Sequence, residues 1–115
     1  MKMAGMHYES EHTYFAHAFN LTTPFCEVNM MDDLMTVRTT SHVPISEVSS
    51  MITEKNLREA IELGEITGES LGHKPRIAVA ALNPHCGEFG LCGREEVDVI
   101  QPTIEKVVKE TGWNV

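Results

Sequence analysis

The chain is poor in cysteine, in aromatic side chains and in positive charge, and it has no long hydrophobic run. Its 115 residues include 3 Cys, 6% aromatic residues and 9 Lys plus Arg against 17 Asp plus Glu, for a formal net charge of −8. Few cysteines and no signal-peptide pattern indicate reduced thiols, and the acidic balance disfavours nucleic acid as a partner. No apolar stretch approaches the roughly 20 residues of a membrane span. We therefore expect a cytoplasmic protein with neither nucleic acid nor membrane as a partner.

The chain still has enough apolar residues to build a core. Apolar residues make up 42% of the sequence and charged residues 23%, which is ordinary for a globular protein. The length predicts a single domain over residues 1–115.

Hydrophobic periodicity and turn residues predict a mixture of helices and strands, and so an α/β fold. In chain order we predict a helix over 11–19, strands over 26–31 and 34–40 around Asp32-Asp33, a short helix from Ser46, a helix from an N-cap at Thr53 to about Leu71, a buried strand over 77–82, a helix over 95–111 and the start of a strand at Trp113.

Two features of the predicted helices concern packing. Gly64 and Gly68 share one face of the long helix, where another backbone could approach closely. Pro102 should kink the last helix or start a second one, and Gly112 should cap it. The expected apolar stripe of this last helix consists of Val97, Ile100, Ile104, Val107 and Val108.

Three histidines, His12, His42 and His85, lie near element boundaries. His42 follows the strand 34–40 and His85 follows the strand 77–82. If these strands are parallel neighbours, both rings point into one crevice at the carboxyl ends of the strands, where two imidazoles can ligate a divalent cation. The alternative is that each is a hydrogen-bonded loop residue.

Other candidates are weaker. Thr13, beside His12, could hold a phosphate or carboxylate oxygen, or could cap the helix. Cys86 and Cys92 could join His85 in a zinc site, or could be small packing thiols. Three glycines spaced three apart indicate a tight turn with positive φ rather than a dinucleotide fingerprint, and they are Gly87, Gly90 and Gly93.

Three segments together resemble the 4-hydroxythreonine-4-phosphate dehydrogenase (PdxA) family. The first is Leu82-Asn83-Pro84-His85-x-Gly87-Glu88 with the following Gly90 and Gly93-x-Glu95-Glu96. The second, residues 39–45, looks like the family's Thr-His-Leu-Pro-Leu segment. The third, residues 11–14, looks like its Gly-His-Thr-Glu motif with the His-Thr kept.

The resemblance implies an isocitrate/isopropylmalate dehydrogenase-like fold, here a partial α/β/α sandwich, and a homodimer. It also implies oxidation, with NAD or NADP, of the secondary alcohol of a phosphorylated hydroxy acid such as 4-phosphohydroxy-threonine, followed by decarboxylation, in pyridoxal phosphate biosynthesis. His12 and Thr13 would contact substrate. His42 and His85 would be two of three ligands of a divalent metal such as Zn, Mg or Co.

The family's third metal histidine, in a Tyr-His-Asp-Gln-Gly segment, and its nucleotide-binding region have no counterpart in the 115 residues. We therefore expect the middle part of such an enzyme, as a fragment or a truncated member. The alternatives are a non-catalytic remnant of the fold, and a relative acting on four-carbon sugar acids such as threonate or erythronate 4-phosphate. A weaker alternative is a metal-binding module using His42, His85 and a cysteine.

Overall fold

The structure, a computed structural model, describes residues 5–8 and 10–115, which form helices around one short hairpin. The mixed α/β class predicted from the sequence is confirmed. The elements are α1 (Glu11–Ala18), β1 (Val28–Met31), β2 (Leu34–Val37), α2 (Ile45–Met51), α3 (Glu54–Ser70), a 3-10 segment (Pro84–Gly90), a π-helical turn (Glu96–Ile100) and α4 (Gln101–Thr111). None of the helices in the described part of the chain is both long enough and apolar enough to cross a membrane.

Helix α1 begins where the sequence predicted it. Its N-cap is Ser10, whose hydroxyl accepts a hydrogen bond from the backbone N–H of Thr13 at 3.3 Å. Thr13 is therefore not the cap. Only Ala16 of this helix is buried, so α1 lies on the surface with most of its side chains exposed.

The strands β1 and β2 form an antiparallel hairpin. Met31 pairs with Leu34, which leaves Asp32 and Asp33 as a two-residue turn, and Asp32 has the left-handed φ of 50° that such a turn favours. The predicted turn is confirmed, and both strands are shorter than predicted.

Helix α3 carries the core. The hydroxyl of its N-cap, Thr53, accepts from the N–H of Asn56 at 3.2 Å, as predicted. Two residues of α3 and two from the C-terminal helices form the buried cluster, which consists of Leu57, Ile61, Ile100 and Val107. Salt bridges from Arg58 to Glu110, at 2.8 Å, and from Lys106 to Glu54 join α3 to α4 across this cluster.

The prediction of a buried strand over 77–82 is wrong, because the segment is neither buried nor part of a sheet in the described residues. Ile77 and Val79 are half-buried, and the other four residues of the segment are exposed. Its one backbone bond to another segment runs from the N–H of Ile77 to the carbonyl of Asn114, at 2.9 Å. A strand needs a neighbouring strand to bond its remaining backbone polar groups. A groove of about 690 Å³, lined by the hairpin, α3 and residues 73–80, lies beside this segment instead. Parallel neighbouring strands are therefore not found in the described residues.

The last helix is divided as Pro102 predicts. The N–H of Gln101 bonds to the carbonyl of Glu96, an i to i+5 bond that makes a π-helical turn before α4. Of the predicted stripe, Ile100 and Val107 are buried, whereas Val97 and Val108 are more than a third exposed. Gly112 caps α4 with a left-handed φ of 72°.

Candidate functional site

The segment that carries His85 has an unusual backbone. His85, Cys86, Glu88 and Phe89 all have left-handed φ values, from 44° to 56°, and Gly87 between them has a φ of 73°. A left-handed conformation costs a residue with a side chain roughly 1–2 kcal/mol. Such a run persists only where the surroundings fix it, and strained backbone of this kind is concentrated at functional sites.

Glu96 fixes the entry to this segment. Its Oε1 accepts the backbone N–H groups of Leu82 and Asn83, at 2.9 and 2.6 Å, and its Oε2 accepts the side-chain amide of Asn83 at 2.9 Å. Glu96 is only 8% exposed. The hydrogen bonds from Asn83 hold the pKa of this carboxyl below its usual range. An ionised carboxylate therefore anchors the chain two residues before His85.

Glu95 binds the same asparagine from the other side. Its carboxylate accepts the hydroxyl of Ser49, the side-chain amide of Asn83 at 2.7 Å and the backbone N–H of Arg94 at 3.1 Å. The hydrogen bond from Ser49 is the largest cause that lowers the pKa of Glu95 to about 2, and those from Asn83 and Arg94 lower it further. Both amide hydrogens of Asn83 are thus used, one by each carboxylate.

Two glycines allow this close packing. A Cβ on Gly93 would lie 2.3 Å from Nδ2 of Asn83, and a Cβ on Gly87 would lie 2.7 Å from the carbonyl oxygen of Gly93. Both glycines also have positive φ values, 130° and 73°. The tight glycine turn predicted from the sequence is therefore confirmed at both positions.

His42 and His12 lie near each other. Their ring centroids are 6.2 Å apart. Oγ of Ser41 lies 3.0 Å from Nδ1 of His42, which leaves Nε2 of that ring available to a ligand. Like His85, His42 has a left-handed backbone, with a φ of 56°, and both imidazoles are exposed.

The substrate candidates His12 and Thr13 occupy the first turn of α1. Both contact Ser10: its Oγ lies 3.0 Å from Nε2 of His12 and 2.5 Å from Oγ1 of Thr13. The hydroxyl of Thr13 therefore already has a partner, which a substrate oxygen would have to share or replace.

One cavity, of about 240 Å³, is lined both by residues that precede His42 and by residues that precede His85. The residues that line it include Thr39 and Thr40, which precede His42, and Ala81 and Leu82, which precede His85. The chain segments leading to both histidines therefore face one cavity, although no sheet joins them.

The imidazoles of His42 and His85 could supply part of the ligand set of a metal site. Two exposed imidazoles suit a divalent transition ion, and a closed site wants at least one more protein ligand. In residues 5–8 and 10–115 no group of three His, Cys, Asp or Glu side chains is arranged to hold a metal ion. The thiols of Cys86 and Cys92 therefore form no such group with His85, and Sγ of Cys92 lies instead 3.9 Å from a carboxylate oxygen of Glu88.

Sequence reasoning missed the residues that hold this loop. Glu95 and Glu96 were named only as part of the family-like segment, with no structural role in this loop, and Ser49 was not singled out. The available signal was the spacing, because an amide at Asn83 is followed 12 and 13 residues later by two adjacent carboxylates directly after a Gly-x pair. The bond between Ser49 and Glu95, 46 residues apart, leaves no local pattern.

Comparisons with known proteins agree on one family. The sequence model of the family described as "Pyridoxal phosphate biosynthetic protein PdxA" matches residues 1–115. A Pseudomonas aeruginosa protein whose name marks it as a candidate 4-hydroxythreonine-4-phosphate dehydrogenase is 43% identical over 107 residues, covering 92% of this chain and 32% of that protein. A Bradyrhizobium diazoefficiens protein, named as a candidate D-threonate 4-phosphate dehydrogenase, is 48% identical over 71 residues, covering 61% of this chain and 21% of that protein.

A solved structure is similar over nearly the whole chain. The crystal structure of 4-hydroxythreonine-4-phosphate dehydrogenase from Klebsiella pneumoniae superposes with a TM-score of 0.84 at 28% identity, covering 99% of this chain and 34% of that one. The chain thus spans about a third of the length of these full relatives.

Proposed function

Since the chain belongs to the pyridoxal phosphate biosynthetic protein PdxA family, we propose that it forms part of a metal-dependent, NAD(P)-linked dehydrogenase. The substrate is a phosphorylated hydroxy acid such as 4-hydroxythreonine 4-phosphate, whose secondary alcohol is oxidised before the product loses CO2. The observation that carries this proposal is the strained loop of His85, held by Asn83, Glu95 and Glu96. A motif with such backbone cost is retained where a side chain must be placed accurately.

His42 and His85 would hold the divalent cation. A cation bound there supplies Lewis-acid polarisation of a hydroxyl or carbonyl oxygen. The chain's own contribution is to present two exposed imidazoles from left-handed backbone positions that follow segments lining one cavity. The remaining metal ligand and the nucleotide-binding region are proposed to come from other parts of the enzyme.

His12 and Thr13 would orient the substrate. The ring of His12 lies beside that of His42, and Thr13 is held in the same helix turn. A substrate oxygen that bound there would lie next to the metal-binding histidine. We also propose the family's homodimer and its isocitrate/isopropylmalate dehydrogenase-like sandwich for the complete enzyme.

A second candidate is a dehydrogenase of four-carbon sugar acids. It is supported by the similarity to the candidate D-threonate 4-phosphate dehydrogenase, at 48% identity over 71 residues. The chemistry and the residues in their roles are the same, and only the carbon skeleton of the substrate differs.

NAD(P)H formation by the complete enzyme, in which this chain is combined with the remaining metal ligand and the nucleotide-binding region, tests this proposal. The assay uses Zn²⁺, Mg²⁺ or Co²⁺ with 4-hydroxythreonine 4-phosphate, threonate 4-phosphate or erythronate 4-phosphate. We expect turnover that His85→Ala abolishes and that His73→Ala, an exposed histidine outside the site, leaves unchanged. Absence of turnover in the folded complete enzyme would contradict the proposal and support a non-catalytic remnant.

A further inference from the structure

We propose that Ser49, Glu95 and Asn83 form a positioning bridge that fixes the loop of His85 against the helix that follows His42. The inference rests on the proposed function, because its consequence is a set separation between the two candidate metal ligands. None of the three residues would touch the metal or the substrate.

The first half of the bridge starts from His42. Helix α2 begins at Ile45, three residues after this histidine, and Ser49 lies in its second turn. No residue of α2 is buried, so packing alone holds this helix weakly. Within the described residues, the bond from the hydroxyl of Ser49 to Glu95 is the one side-chain hydrogen bond from α2 to the segment 83–100.

The second half of the bridge ends at His85. Oε2 of Glu95 accepts the amide of Asn83 at 2.7 Å, and Asn83 lies two residues before His85. The left-handed residues that follow Asn83 have no side-chain bonds to α2 or α3 in the described structure, so the hydrogen bonds that join this loop to α2 pass through Glu95 and Asn83. The one carboxylate of Glu95 thus bonds both to α2, which follows His42, and to Asn83, which precedes His85.

The charge of Glu95 suits this role. Its three donors are a hydroxyl, an amide and a backbone N–H, and the neighbouring Arg94 instead pairs with Asp98, at 2.7 Å. Hydrogen bonds to an ionised acceptor are about twice as strong as neutral ones. The carboxylate can therefore hold both segments at once without a cation to neutralise it.

Alanine and threonine substitutions of Ser49 test the bridge. Ser49→Ala removes the bond, Ser49→Thr keeps a hydroxyl, and Ser50→Ala is the matched control because the hydroxyl of Ser50 donates only to Glu47 of the same helix. The probe is Co²⁺ alone, titrated while the ring signals of His42 and His85 are followed by NMR.

In the wild-type protein both ring signals should broaden over the same range of Co²⁺ concentration. Residues that hydrogen-bond directly to metal ligands typically contribute 10–100-fold to metal affinity. Ser49 acts through Glu95 and Asn83, so Ser49→Ala should weaken binding by the lower end of this range, about 10-fold. Ser49→Thr should restore most of the affinity, and Ser50→Ala should bind as the wild type does.

Amide hydrogen exchange of residues 84–92 in the metal-free protein supplies the second readout. Exchange should be faster in Ser49→Ala than in Ser50→Ala if the bridge exists. If the wild-type histidines bind no Co²⁺, the metal-binding function fails, and exchange still decides whether the bridge holds the loop. Equal exchange in the two variants would overturn the bridge, and unchanged Co²⁺ affinity in Ser49→Ala would overturn its positioning role.

Discussion

Asn83 shows how a single side chain can hold a strained loop. Its two amide hydrogens bond to two different carboxylates, and its backbone N–H bonds to one of them as well. The left-handed run that follows is unfavourable for each residue with a side chain. The bonds made by Glu95 and Glu96 offset that cost, so the local conformation depends on residues 12 and 13 positions later in the chain.

The lowered pKa of Glu95 predicts a stability change in acid. A carboxyl with a folded-state pKa of about 2, below its ordinary value of 4.5, stabilises the fold above pH 4.5, and this contribution is lost as the pH falls towards 2. We expect Glu95→Gln to lower the midpoint temperature of thermal unfolding at pH 7. Between pH 4.5 and 2, that midpoint should fall less in Glu95→Gln than in the wild type.

Calorimetry across this pH range measures the effect, and Glu69→Gln, at an exposed position near the end of α3, is the control. The same acid dependence in Glu95→Gln and in the wild type would contradict the prediction.

Helix α3 shows how one element organises its neighbours. Its buried side contacts the C-terminal helices, and its glycines face the extended segment after Gly72. A Cβ on Gly68 would lie 2.3 Å from Cγ of Pro75, whereas a Cβ on Gly64 would meet Cδ1 of Ile77 at an ordinary 3.7 Å. The close approach predicted from the two glycines is therefore required at Gly68 alone.

Two alanine substitutions one helical turn apart should have opposite effects. Gly64→Ala should raise the free energy of unfolding by up to about 1 kcal/mol, because alanine favours the helix and the added methyl has room. Gly68→Ala should lower it by about 1–3 kcal/mol, because the methyl displaces the rigid ring of Pro75. Urea unfolding measures both changes. Changes of the same sign in the two variants would show that the close approach of Gly68 to Pro75 does not limit the packing there.

The whole molecule is more open than its length requires. Its Cα radius of gyration is 15.7 Å, against about 13 Å for a compact domain of this size. Many large apolar side chains are exposed, and two of them, Phe15 and Phe19 of α1, are 52% and 70% exposed and stack on each other. Apolar surface of this extent is typical of interfaces.

We therefore expect the chain to self-associate, and a dimer remains our prediction. Multi-angle light scattering should give a mass near twice the 12.8 kDa of the chain. The double variant Phe15→Ser/Phe19→Ser should shift the equilibrium towards monomer, whereas Ile66→Ser, at a separate exposed apolar position on α3, should not. A monomer at every concentration would contradict the prediction.

The sequence by itself determined the features that depend on neighbours along the chain. The hairpin turn at Asp32, the N-cap at Thr53, the break at Pro102 and the cap at Gly112 were all predicted. Each follows from local backbone preference or from hydrogen bonds over a few residues. The motif around His85 also indicated the family, through its resemblance to the family's own segment.

Only the tertiary structure decided which distant groups meet. It placed the hydroxyl of Ser49 on Glu95 and the ring of His12 beside that of His42, and no periodicity encodes such pairs. It also left residues 77–82 extended without a sheet, since an apolar run predicts a strand but cannot supply the neighbour whose backbone groups complete it. The position of the candidate site is therefore a property of the fold, although the candidate histidines His12, His42 and His85 could be named from the sequence.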